Sequence, residues 1–100
     1  LNKGNEKPLV IDVREEEELV LAPFSHQVIH LPLSQSQEWI ENLSKRFSRN
    51  QPLVVICHAG IRSLNFGNWL VSQNWGYEVW NLEGGIDAWS QEVDSSVPRY

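Results

Sequence analysis

Short apolar runs alternate along the chain with stretches in which apolar residues recur every three or four positions. The first run, "PLVIDV" from Pro8 to Val13, has the length of a strand, and the acidic residues Glu15 to Glu18 then open a short helix that Pro23 stops. "VIHL", Val28 to Leu31, is a second strand. Ser34 and Gln37 have capping-box spacing, and Ile40, Leu43 and Phe47 share one face of the helix behind them. Pro52 leads into "LVVIC", Leu53 to Cys57, the most apolar run and the natural central strand. Phe66, Trp69 and Leu70 then mark a helix that Gly76 can close as a C-cap. "YEVWNL", Tyr77 to Leu82, is a fourth strand, and Gly84-Gly85 turn into a last short helix around Trp89.

Strands alternating with helices predict a parallel sheet with helices on both faces, a three-layer α/β/α arrangement. With no repeat and no internal linker, the expectation is one domain over residues 1–100. Residues 1–7 read as a linker or helix end. Residues 93–100 read as a tail that Val97 and Tyr100 can pin to the body. In parallel sheets ligands bind beyond the carboxyl ends of the strands, and Cys57 stands at such an end.

Composition narrows the partners more than the fold. Hydrophobic residues make up 41% and charged residues 21%, ordinary values for a globular protein. A net charge of -5 argues against nucleic acid or an anionic membrane surface as the main partner. The apolar runs are too short to span a bilayer. Cys57 is the only cysteine, so no disulfide forms within the chain, and a reducing, cytoplasm-like compartment fits best.

A lone cysteine is most simply a small core residue. Its position in "CHAGIRS" changes that reading. Residues 58–62 join a strand to a helix in a tight turn, where Gly60 permits backbone angles closed to other residues. Successive amides in such a turn, and the helix N-terminus behind them, favour negative charge. Arg62 adds a cation at the rim. A thiol in that ring is activated as a thiolate nucleophile facing a pocket that also attracts anions.

"CHAGIRS", with "LVIDVREEEEL" before it and "VWNLEGGIDAW" after it, resembles a rhodanese-like domain of the single-domain sulfurtransferase type, over residues 8–90. The resemblance implies a sheet with the Cys57 strand near its middle, between "VIDV" and "VWNL". Family members usually carry a further edge strand upstream of the region matching Pro8, so the expected sheet has four to five strands. It also implies an activity: sulfane sulfur moves from thiosulfate or a related donor onto Cys57 as a persulfide, then to cyanide or another thiol, including a protein thiol. In that scheme His58, Ala59, Gly60, Ile61, Arg62 and Ser63 form the loop that holds substrate and anion, and neither metal nor organic cofactor is needed. "SHQV", Ser25 to Val28, replaces a longer glycine-containing stretch of the family that borders the cleft, which bears on pocket shape and acceptor choice.

The remaining polar residues have simpler readings. Asp12 and Arg14, at the end of the neighbouring strand, are expected to pair and shape the cleft rather than react. Gly84 and Gly85 form a turn close enough to line it. His26 and His30 lack metal-site spacing and are structural. His58 either faces substrate or projects into solvent. Trp89 belongs to the core, and Glu15 to Glu18 form a solvated helix start favoured by the dipole. Two other functions compete with sulfur transfer. A non-catalytic rhodanese-like module would bind or regulate a partner, though such modules often lack the cysteine. Tyrosine phosphatases and arsenate reductases also use a cysteine in an anion loop, but phosphatase loops place five residues before the arginine and this chain places four, His58 to Ile61.

Overall fold

The computed structural model describes residues 8–47 and 51–100. The expected linker over 1–7 lies outside the described residues. Four strands, β1 (Leu9–Asp12), β2 (Ile29–His30), β3 (Leu53–Ile56) and β4 (Val79–Asn81), form one parallel sheet in the order β2-β1-β3-β4. The cysteine strand is therefore flanked by "VIDV" and "VWN". Each strand is shorter than the apolar run that announces it, because pairing with the neighbouring strand, not hydrophobicity, sets where a ladder ends.

The pleat sorts the side chains onto two faces. Ile11, Val13, Leu53, Val55 and Cys57 point to one, where they pack with Trp39, Leu43, Phe47, Phe66 and Leu70. Ile56, with Val10 and Val54 beside it, points to the other, against Ala22, Ile86 and Val97. Helix α4 (Ile61–Ser72) and the segment 33–46 cover the first face; α5 (Gly85–Glu92) and the chain following α1 (Glu16–Leu21) cover the second. The result is the expected three-layer sandwich.

Two local expectations are corrected. Segment 33–46 is not one capped helix but a 3-10 turn (Leu33–Gln35), α2 (Ser36–Trp39), a second 3-10 turn (Ile40–Asn42) and α3 (Leu43–Arg46). Ser34 does not cap it, because its hydroxyl donates to the Glu15 carboxylate instead. Trp39, Leu43 and Phe47 still share a buried face at four-residue spacing, so packing holds the segment together despite its breaks. Helix α4 ends at Ser72, short of Gly76. Asn74 supplies the left-handed residue at φ 59°, and Gly76, at φ 88°, turns the chain toward β4.

Candidate active site

The sulfur of Cys57 lies directly beyond β3, and the residue is 1% exposed. It is buried and yet surrounded by donors. The Gly60 amide donates to Sγ at 3.1 Å, the Ser63 amide at 3.3 Å, and the thiol donates to the Ser63 hydroxyl oxygen at 3.3 Å. Gly60 can aim its amide this way because it caps α4 at φ 92°, in the left-handed region. Burial pushes the thiol up, but the Ser63 hydroxyl and the amides of Ser63, Gly60 and Ala59 more than offset it, so the pKa falls below the ordinary thiol value. The site therefore eases loss of the thiol proton relative to an ordinary cysteine.

The loop is held from behind. The first amides of α5 donate to its carbonyls, Ile86 N to Cys57 O at 2.8 Å and Asp87 N to His58 O at 2.9 Å. This close approach explains the glycine pair: a Cβ on Gly85 would stand 2.4 Å from Cys57 O and 2.5 Å from His58 O. Gly84 takes φ 77° as the N-cap of α5. The pair shapes the site through its backbone, from beneath the loop. Asn81 at the end of β4 completes the support. Its side-chain oxygen accepts from the Ser63 hydroxyl and its Nδ2 donates to Gly60 O at 3.2 Å.

Asp12 and Arg14 form a second cluster at the end of β1. Both are fully buried. The Arg14 Nε donates to Asp12 Oδ1 at 3.0 Å and Nη2 to Asp12 Oδ2 at 2.9 Å and Ala22 O at 2.9 Å. Burial lowers the Arg14 pKa, and the hydrogen bonds and charges of Asp12 and Tyr100 raise it by more. This is the expected pair, and His30 supports it by donating from Nε2 to Arg14 O at 2.6 Å. Val13 N donates to Ile56 O at 3.1 Å, tying this strand end to the one that carries Cys57.

Arg62 stands two residues into α4, but it does not offer a free charge. Its Nη1 and Nη2 donate to the two Glu18 carboxylate oxygens at 2.7 and 2.8 Å. Arg62 and a backbone bond from Glu15 overcome partial burial and bring the Glu18 carboxyl down to about 2. Glu16 and Glu17 are exposed as expected. Glu15 and Glu18 depart from the solvated reading, since Glu15 binds Ser34 and Glu18 binds Arg62. Ala59 and Ile61 give the loop their backbone while their side chains face outward. The half-buried His58 ring lies against the Tyr100 ring, with centroids 4.3 Å apart.

Glu18 and Asn81 are not singled out by sequence, and Tyr100 is read there only as a residue that pins the tail. A polar Asn81 closing an apolar strand beside the cysteine strand was a usable signal. Glu18 is one of four consecutive glutamates and carried none. Tyr100 is separated from Arg14 by 86 positions and from Glu18 by 82.

Among the described residues no group of three or more His, Cys, Asp or Glu side chains could hold a metal, and no helix is long and apolar enough to cross a membrane.

A parallel α/β sheet that presents a buried cysteine to an amide-rich loop capping a helix defines a class, and the family comparison names it. The rhodanese-like domain model matches residues 1–92, and the chain belongs to that family. It is 36% identical over 91 residues to the putative sulfurtransferase YtwF of Bacillus subtilis (strain 168), covering 91% of this chain and 82% of that protein. It is also 36% identical over 91 residues to the Rhodanese-like/PpiC domain-containing protein 12, chloroplastic, of Arabidopsis thaliana. There the match covers 91% of this chain and only 30% of the longer protein. Among solved structures, a rhodanese-related protein from Thermoplasma volcanium superposes with a TM-score of 0.69 at 32% identity, covering 85% of this chain and 78% of that one.

Proposed function

We propose that the protein is a sulfurtransferase that carries sulfane sulfur as a persulfide on Cys57. The observation that carries this reading is a buried sulfur held by two loop amides and a serine hydroxyl at the start of α4, with loss of the thiol proton eased. The thiolate attacks the outer sulfur of thiosulfate or a related donor. A new S–S bond forms as the donor's S–S bond breaks, and sulfite leaves with the electron pair. An acceptor such as cyanide or a thiol then attacks the outer persulfide sulfur, giving thiocyanate or an acceptor persulfide and returning the Cys57 thiolate.

The chain's own residues supply the rest. The Ile61 and Arg62 amides in the first turn of α4 have no acceptor within the helix, so they are available to the outer sulfur or the donor's anionic group. Sulfur itself is the carrier, so the scheme uses no metal or organic cofactor. One cysteine and an easily oxidised persulfide suit a reducing, cytoplasm-like compartment. A small-molecule donor and acceptor, or a protein thiol, are the partners it implies. Four residues between Cys57 and Arg62 make a ring suited to a single sulfur atom.

The test is intact mass after incubation with thiosulfate. One added sulfur, about 32 Da, removed by cyanide or dithiothreitol, is expected on the native chain and absent from Cys57→Ser. Thiocyanate production by the serine variant, or robust hydrolysis of p-nitrophenyl phosphate by the native chain, overturns the reading.

A further inference from the structure

Residues 93–100 lie beyond the segment that matches the family, yet they are fastened to the domain next to the cysteine loop. Val97 is 3% exposed, its carbonyl accepts from the Ser90 hydroxyl at 2.5 Å, and Arg99 pairs with Asp87 at 3.0 Å. Val97 and Tyr100 both hold the tail to the body, as the sequence predicts, and Tyr100 does so beside the cysteine loop. The ring packs on His58, the hydroxyl donates to Glu18 Oε2 at 2.7 Å, and Arg14 Nη1 donates to that hydroxyl at 3.1 Å. Glu18 in turn grips Arg62.

His58 and Arg62 are the two ends of the loop that follows Cys57. A single phenol therefore touches the first and reaches the carboxylate bound to the second. Burial, an opposing bond from Arg14 and the neighbouring Glu18 leave the phenol pushed up to about 12, so the hydroxyl remains a donor at neutral pH. Tyr100 is still 38% exposed, as a residue between the loop and solvent should be.

We propose that Tyr100 is a specificity-determining residue of the Cys57 site: its ring walls the approach to the sulfur and selects small or unbranched sulfur donors and thiol acceptors over bulky ones. The selection for sulfur compounds rests on the sulfurtransferase reading; the wall itself rests only on the geometry of the loop.

The experiment uses the single cysteine as a reporter. Rate constants for alkylation of Cys57 are measured with iodoacetamide and with a fluorescein-bearing maleimide, on the native chain, Tyr100→Phe, Tyr100→Ala and Tyr100→Trp. Steric discrimination of this kind is worth about tenfold, so Tyr100→Ala should raise the bulky-to-small rate ratio by about that factor. Tyr100→Phe keeps the ring and should leave the ratio near the native value, while Tyr100→Trp should lower it. A ratio that is the same in all four proteins, or an alanine variant in which both rates rise together, overturns the proposal by showing a loosened loop instead of an opened wall. Should the alanine variant not fold, the tryptophan variant decides alone. In parallel, transfer from loaded Cys57 to glutathione relative to cyanide should rise in Tyr100→Ala. If the native chain takes up no sulfur from thiosulfate, the sulfurtransferase reading fails while the alkylation ratios still decide the role of Tyr100.

Discussion

Two polar clusters occupy the carboxyl end of the sheet, on neighbouring strands, and they handle burial in opposite ways. At the end of β3 the groups around Cys57 are neutral: amides of Gly60 and Ser63, a hydroxyl and the Asn81 carboxamide. At the end of β1 the groups are charged, with Asp12 against Arg14 and Glu18 against Arg62, and the Tyr100 hydroxyl between Arg14 and Glu18. The charged cluster is already balanced. It has little to gain from another ion and serves as a frame. The neutral cluster is rich in donors and short of negative charge, and a thiolate or persulfide fills that need. Reactivity therefore sits among neutral donors, and the guanidinium near the loop, Arg62, is already held by Glu18.

The sharpest way to break the frame is to remove one of its charges. Asp12→Ala leaves the Arg14 guanidinium buried without its carboxylate, and one-sided loss of a buried pair costs about 3–5 kcal/mol. Urea unfolding should show that loss. A cost under about 1 kcal/mol would mean the buried pair contributes no more than an exposed one and is not a frame.

Gly85→Ala probes the other cluster from behind. The new Cβ collides with the Cys57 and His58 carbonyls at a residue whose φ is 62°, so stability should fall by about 1–3 kcal/mol. The rate of Cys57 alkylation at neutral pH should fall with it, because the loop must move. Unchanged reactivity would separate the α5 contact from thiolate activation.

Ser63→Ala should leave folding nearly intact and shift the pH midpoint of iodoacetamide alkylation upward, since the hydroxyl is the leading group that opposes the burial of Cys57. Arg62→Ala should shift it less, because Glu18 already neutralises the guanidinium. The reverse order would move the source of activation from the neutral cluster to the charged one.

The smallest effect belongs to the Glu18–Arg62 pair, which is partly open to solvent. The Glu18 carboxyl falls from an ordinary 4.5 to about 2 in the folded protein. A depressed acid stabilises the fold above its unfolded pKa and loses that contribution as pH falls through the folded one. Stability should therefore decline between roughly pH 4.5 and 2, and Glu18→Gln should flatten that part of the curve, as urea midpoints against pH would show.

Much of this molecule was legible as a string. "PLVIDV", "VIHL", "LVVIC" and "YEVWNL" announce the four strands of the described residues because each is a short, mostly apolar run between turn residues, and "CHAGIRS" announces the loop because its parts are consecutive. Cys57, Gly60 and Ser63 meet within seven residues, so local backbone geometry alone brings them together. Asp12 and Arg14 pair across a single residue for the same reason. The partners of those groups were decided elsewhere. Which of four equivalent glutamates would meet Arg62 depended on how α1 lies against the start of α4. That Gly85 would touch the Cys57 carbonyl, Asn81 the Ser63 hydroxyl and Tyr100 the His58 ring depended on strands and helices that pack only once the sheet has closed. Spacing along a chain encodes contacts a few residues apart; contacts across tens of residues arise from the burial of the two faces of the sheet, and only the folded structure sets them.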